Sequence, residues 1–170
     1  MKWAYSDEVA EHFFRPKNVL FEDESLFPHN ARGMSGNVIC GDQMLMLLHI
    51  ADDIIEDIRW KTYGCASAIA STSVLSEMVK GMDIFAAAKI TPAQIAARLG
   101  GLPAHKKHCS VMGDEALLDA INNYLAAAGR ELLKKVKKST PGSCAERSTV
   151  VTHGVKPGVA KGKNGSKTGR

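Results

Sequence analysis

Aromatic residues make up only 6% of this 170-residue chain, so its core has to be aliphatic. Long apolar runs are missing too. Val38–Cys40 and Met44–Leu48 fall far short of the ~20 residues that cross a bilayer, which excludes a membrane-spanning helix. The start of the chain, Met1-Lys2-Trp3-Ala4-Tyr5-Ser6-Asp7-Glu8, meets acid before any apolar stretch, unlike a secretion signal. Cysteine is sparse: four residues without such a signal do not make a disulfide framework. The expectation is a cytoplasmic protein whose cysteines are ligands, nucleophiles or buried fillers. What is present is enough apolar residue, 45%, to bury one core.

Charge is unevenly spread. Residues 1–129 carry 11 Lys/Arg against 16 Asp/Glu, a net −5, and residues 130–170 carry 11 against 2, a net +9. The pattern divides the chain into a mildly acidic domain, 1–129, and a basic appendage, 130–170. The appendage has no aromatic residue on which a base could stack, so nucleic acid is not expected as a partner. Past Lys138 it is rich in Gly, Ser, Thr and Lys with no apolar period, and 139–170 is expected to be disordered.

Ser6-Asp7-Glu8 is a helix start, with Val9, Ala10, Phe13 and Phe14 at helical spacing and Pro16 beyond. His12 falls on the polar side of that helix. Glu22–Gly36 reads as a loop, and Asn37–Cys40 as a short strand before a Cys40-Gly41-Asp42 turn. Gln43–Ile50, a turn at Ala51-Asp52-Asp53, and the partly alternating Ile54–Tyr63 make a hairpin, with Ile54, Glu56, Ile58 and Trp60 on one face. Ala66–Lys80 is helical and stops at Gly81. Asp83–Lys89 is a short helix, Thr91-Pro92 starts another that ends at Gly100-Gly101, and Ala116–Ala128 is a third, continuing briefly through Leu132, Leu133 and Val136.

Cys40, Cys65 and Cys109 lack paired metal-ribbon spacing, but each sits at a turn or helix start. Gly41 turns the backbone so that Asp42 approaches Cys40. Cys65 follows Gly64 and opens a helix, where unpaired N–H groups and the helix dipole favour thiolate. His108 directly precedes Cys109. Three thiolates, one imidazole and one carboxylate could therefore converge. A lone cysteine is more often a small buried hydrophobe; three in such settings favour a site. Cys144 has no comparable context.

The motifs Tyr5-Ser6, His12-Phe13-Phe14-Arg15-Pro16-Lys17-Asn18, Cys40-Gly41-Asp42, Lys61-Thr62-Tyr63-Gly64-Cys65, Glu77-Met78-Val79-Lys80-Gly81 and His108-Cys109-Ser110-Val111-Met112-Gly113 occur here in one order. In that combination the chain resembles the IscU/NifU family of iron–sulfur cluster assembly scaffolds, most of all the N-terminal domain of NifU. The resemblance runs from about Tyr5 to Ala127. It implies an α+β fold, a three-stranded antiparallel sheet packed against helices. It also implies a non-enzymatic scaffold on which a 2Fe-2S cluster is built from iron and sulfur and passed to recipient apo-proteins. By position, Cys40, Cys65 and Cys109 would be the ligand and sulfur-accepting thiols, with Asp42 and His108 as alternative or labilising ligands. The implied partners are a cysteine desulfurase, the recipient apo-proteins and an Hsp70-type chaperone; a homodimer is compatible. The chaperone would dock on Leu102-Pro103-Ala104-His105-Lys106, where Ala104 stands in place of the family's second Pro. Ala66 replaces a Gly usual in the family. The alternative is a zinc-bearing sulfur acceptor of the SufU type, since the same donors suit tetrahedral zinc. His108 beside Cys109, and the short stretch between Cys65 and Cys109, favour the scaffold.

Overall fold

A computed structural model describes residues 5–37, 42–102 and 107–134, apart from the side chains of Asn37 and of 107–110. The expected disordered stretch, 139–170, lies outside them. The described part is α+β. Strands β1 (Ala31–Asn37), β2 (Asp42–Ala51) and β3 (Ile54–Tyr63) form one antiparallel sheet in that order. Helices α1 (Asp7–Phe14), α2 (Ala66–Val79), α3 (Ile84–Ala87), α4 (Pro92–Arg98) and α5 (Lys107–Ala127) surround it, and a 3-10 turn spans Glu24–Leu26.

The two best-marked helix starts form as read. The Ser6 side chain accepts from the Val9 N–H at 3.2 Å. Thr91 and Gln94 make a reciprocal capping box with Pro92 at the first helical position. The β2–β3 hairpin turns on Asp52 and Asp53, both at positive φ (49° and 63°), as a two-residue hairpin loop requires.

Elsewhere the chain departs from its sequence pattern. The supposed loop Glu22–Gly36 contains the 3-10 turn and most of β1, which ends at Asn37; Val38–Gly41, with the expected strand there, lie outside the described residues. Gly33 masked that strand. A Cβ built on it would lie 2.1 Å from the Ala116 carbonyl oxygen and 2.3 Å from the Ala120 nitrogen, so its bare backbone is what lets α5 lie on β1. Side chains one turn apart on α5 then bond the edge strand: Glu115 accepts from the Ser35 hydroxyl at 3.0 Å, Asp119 from the Met34 N–H at 2.9 Å, and Asn123 donates to the Arg32 carbonyl at 2.8 Å.

The expected face of β3 is also corrected. His49 pairs with Asp57 but Ile50 with Ile55, leaving Glu56 as the extra residue of a bulge. The bulge turns Ile54 outward and puts Ile55 with Ile58 and Trp60 in the core. Met44, Met46, Leu48 and Ile50 share that face, which packs against α2 and α5. Leu47, Leu20 and Phe27 form a smaller cluster on the other face, with the Arg59 guanidinium 5.2 Å from the Phe27 ring centroid.

α5 begins at Lys107, not Ala116, because Gly113 sits inside it: a Cβ there would press on Leu75 Cδ2 at 3.1 Å, so glycine allows close packing on α2. Nor does the helix continue beyond Gly129, whose φ is +66°. Instead Arg130 binds Asp53 through two bonds, at 2.6 and 3.0 Å, and Leu133 exchanges bonds with Asn122.

Candidate functional site

The site lies where β2 begins and β3 ends. Gln43 pairs with Tyr63, which puts Asp42, the first residue of β2, beside Gly64. A Cβ on Gly64 would meet Ala68 Cβ at 3.0 Å, Asp42 Oδ1 at 3.4 Å and Thr62 Oγ1 at 3.6 Å. Glycine therefore lets the turn before Cys65 lie close against Ala68 at the start of α2, with the Asp42 carboxylate at ordinary contact distance.

Cys65 is the N-cap of α2. Its carbonyl accepts from the Ala68 and Ile69 N–H groups at 2.9 and 3.1 Å, while its side chain makes no capping bond. The half-buried thiol packs against Ala68 and Met112. The opening of a 14-residue helix supplies partial positive charge there, which favours thiolate over thiol.

Met112 brings in the other segment. It lies one helical turn beyond Cys109, and its contact with Ala68 and Cys65 fixes the early turns of α5 against the first turn of α2. His108 and Cys109 are thus at the α5 end that meets Cys65, their side chains being outside the described residues. Cys40, two residues before Asp42, and Cys144 are likewise outside. Among the described residues, no group of three or more His, Cys, Asp or Glu side chains is arranged to hold a metal ion. Asp42 and Cys65 are the described members of the expected donor set.

Most of α2 is buried, which explains its serines. Ser73 accepts from the Lys17 N–H at 2.8 Å and lies 2.8 Å from His12 Nδ1; Ser76 accepts from Asn18 Nδ2 at 3.0 Å; Ser67 donates to the Tyr5 hydroxyl at 3.2 Å. His12 is therefore not on a polar surface. It is wedged between α1 and α2, with Nε2 3.7 Å from Glu77. Sequence reasoning missed this clamp, though the repeated Ser and Thr in an otherwise apolar helix signalled buried partners. Of the segment 102–106, where a chaperone was expected to dock, Leu102 is buried at the edge of the core and Pro103–Lys106 lie outside the described residues.

Comparison with known proteins settles the lineage. The profile of the NifU-like N terminal domain matches residues 4–131. The chain belongs to that family. It is 45% identical over 133 residues to the iron-sulfur cluster assembly scaffold protein IscU of Aquifex aeolicus, covering 76% of this chain and 82% of that protein. It is 47% identical over 124 residues to the nitrogen fixation protein NifU of Azotobacter chroococcum, covering 72% of this chain but 39% of that longer protein. A crystal structure of a NifU-like N-terminal protein from Brucella abortus superposes with a TM-score of 0.56 at 16% identity, covering 71% of this chain and 94% of that one. A scaffold protein assigned to the SUF system of Fervidobacterium islandicum superposes with a TM-score of 0.53 at 18% identity, covering 69% and 96%. At these identities the two structures speak to the fold alone. The match to the family profile stops at residue 131, near the start of the basic segment.

Proposed function

We propose that this NifU-like domain is a scaffold that assembles a 2Fe-2S cluster and releases it to apo-proteins. The observation that carries the reading is the Cys65 thiol at the opening of α2, beside the Gly64–Asp42 contact and held against the α5 turns that bear His108 and Cys109. Cys40, Cys65 and Cys109 would be the thiolate ligands, soft donors suited to iron–sulfur chemistry. Asp42 and His108 would be the harder, more labile donors. A set of three thiolates and one hard donor holds its cargo less tightly than four thiolates, which suits transfer. The same donors would also hold zinc.

Sulfur would arrive from a cysteine desulfurase as a persulfide. The Cys65 thiolate attacks its terminal sulfur; a new Sγ–S bond forms, the donor's S–S bond breaks, and the electron pair leaves on the donor thiolate. This exchange consumes no oxidant or reductant; turning each bound sulfane sulfur into cluster sulfide would take two electrons, from an external thiol or an electron-transfer protein. The partners are that desulfurase, the recipient apo-proteins, and an Hsp70-type chaperone at Leu102–Lys106; a homodimer fits the same scheme. No helix among the described residues is long and apolar enough to cross a membrane, and we place the reaction in the cytoplasm. Residues 1–129 would be the scaffold domain and 130–170 a basic appendage.

The test is the lifetime of a reconstituted cluster in wild type and Asp42→Ala under anaerobic conditions. The variant's cluster should persist longer. Equal loss rates would remove Asp42 from the site, and a wild type that accepts zinc and persulfide sulfur without forming a chromophore would make the protein a sulfur acceptor instead.

A further inference from the structure

β3 is an outer strand, and its free edge is covered at every outward-facing position but one. Ile55 pairs with Met82 and Gly81 at 2.9 and 2.7 Å. The Ile58 N–H donates to the Asp57 carboxylate at 2.9 Å, and its carbonyl accepts from Arg59 at 2.8 Å. Trp60 pairs with Asn18 and Leu20 at 3.2 and 2.8 Å. Outward-facing groups recur every second residue, so the next is Thr62. Among the described residues, no backbone partner bonds it across that edge. An exposed edge position is a template for strand addition.

Beside Thr62 lies a groove of about 320 Å³ walled by Pro16, Val19, Phe21 and Ile69, with Lys61 its charged lining residue. Phe21 is 84% exposed, unusual for an aromatic with no surface role. Two of the groove's lining residues flank the thiol along the chain: Thr62 is three residues before Cys65, and Ile69 is one helical turn after it.

We propose that the Thr62 edge and this groove dock an extended segment of the sulfur-donating protein, adding a short strand to β3. The segment would place an apolar side chain between Val19, Phe21 and Ile69 and a carboxylate opposite Lys61, and so aim its persulfide at Cys65. This rests on the scaffold reading for the identity of the partner; the surface itself is read from the edge and the groove.

The experiment measures the affinity of the full chain for a purified cysteine desulfurase in wild type, Phe21→Glu, Lys61→Glu and Thr62→Pro. The first two changes lie on exposed side chains and leave the fold intact. The third removes an outward N–H that the β2–β3 ladder does not use. Each should weaken binding by about tenfold or more, the loss of a strand-addition anchor. Cluster formation from inorganic iron and sulfide should be unchanged in the two surface variants. Wild-type affinity in both Phe21→Glu and Lys61→Glu, or no desulfurase binding by the wild type, overturns the docking surface. Failure of the wild type to form a cluster from inorganic sulfide counts against the scaffold reading and leaves the affinity comparison to decide the docking surface.

Discussion

Gly33 of β1 and Ala116 of α5 stand so close that a single added carbon would fall 2.1 Å from the Ala116 carbonyl oxygen. The neighbour is helix backbone, which cannot rotate away. Gly33→Ala should therefore push α5 off the sheet and destabilise the fold by about 2–3 kcal/mol, the range of an overpacked core. Urea unfolding of the purified variant measures it. Because α5 also carries His108 and Cys109, the same variant should lose cluster binding.

Gly64 offers a gentler probe. A methyl group there meets Ala68 Cβ at 3.0 Å, a contact that can yield by a few tenths of an ångström, and Asp42 Oδ1 at an ordinary 3.4 Å. Gly64→Ala should cost about 1 kcal/mol of stability while pushing on Ala68 and so on the first turn of α2 that Cys65 caps. The expected signature is a nearly normal unfolding midpoint with an altered cluster lifetime.

Ser73 joins α1 to α2 by serving Lys17 N–H and His12 at once, both at 2.8 Å. Ser73→Ala strands both in a mostly buried place and should cost about 1–3 kcal/mol. Hydrogen exchange should report a matching loss of protection at the Lys17 amide, and unchanged protection there would show that the clamp is not used.

The Asp53–Arg130 pair ties the segment after α5 to the hairpin turn. The bond from Arg130 holds the Asp53 carboxyl below its usual range, and the same bond raises Arg130 above its ordinary value. A carboxylate whose folded value is depressed contributes stability above its unfolded value, near pH 4, and loses it as pH falls through the folded one. Arg130 stays charged throughout that window. Wild type should thus be more stable than Arg130→Gln at neutral pH, with the gap closing as pH drops below about 4. Unfolding of both proteins across pH 2–7 checks this.

How much of this was legible beforehand depended on whether the cause was local. The Ser6 and Thr91 caps and the Asp52-Asp53 turn follow from neighbouring residues, and the structure has them. β1 was hidden because Gly33 reads as loop until α5 is laid on it. The start of α5 was hidden because Gly113 reads as a helix stop until Leu75 is seen beside it. The bulge at Glu56 reversed the face of Ile54 and Ile55, and no alternation pattern announces a bulge. At the site, the place of Cys65 at the opening of α2 was readable from Gly64 before it and the apolar helical run after it; Cys40 and Gly41 of the turn expected at Cys40-Gly41-Asp42 lie outside the described residues. The Met112 contact that draws α5 to Cys65, and the open edge at Thr62, come from packing between segments distant in sequence.

The central claim is that Cys40, Cys65 and Cys109 together hold a transient cluster. Anaerobic reconstitution with iron, cysteine, a cysteine desulfurase and a thiol reductant, followed by visible absorbance and iron and zinc analysis, tests it most directly. The account predicts a 2Fe-2S chromophore in the wild type that is lost or strongly weakened in Cys40→Ser, Cys65→Ser and Cys109→Ser alike. A wild type that stays colourless with one bound zinc, or a chromophore indifferent to all three substitutions, would contradict it.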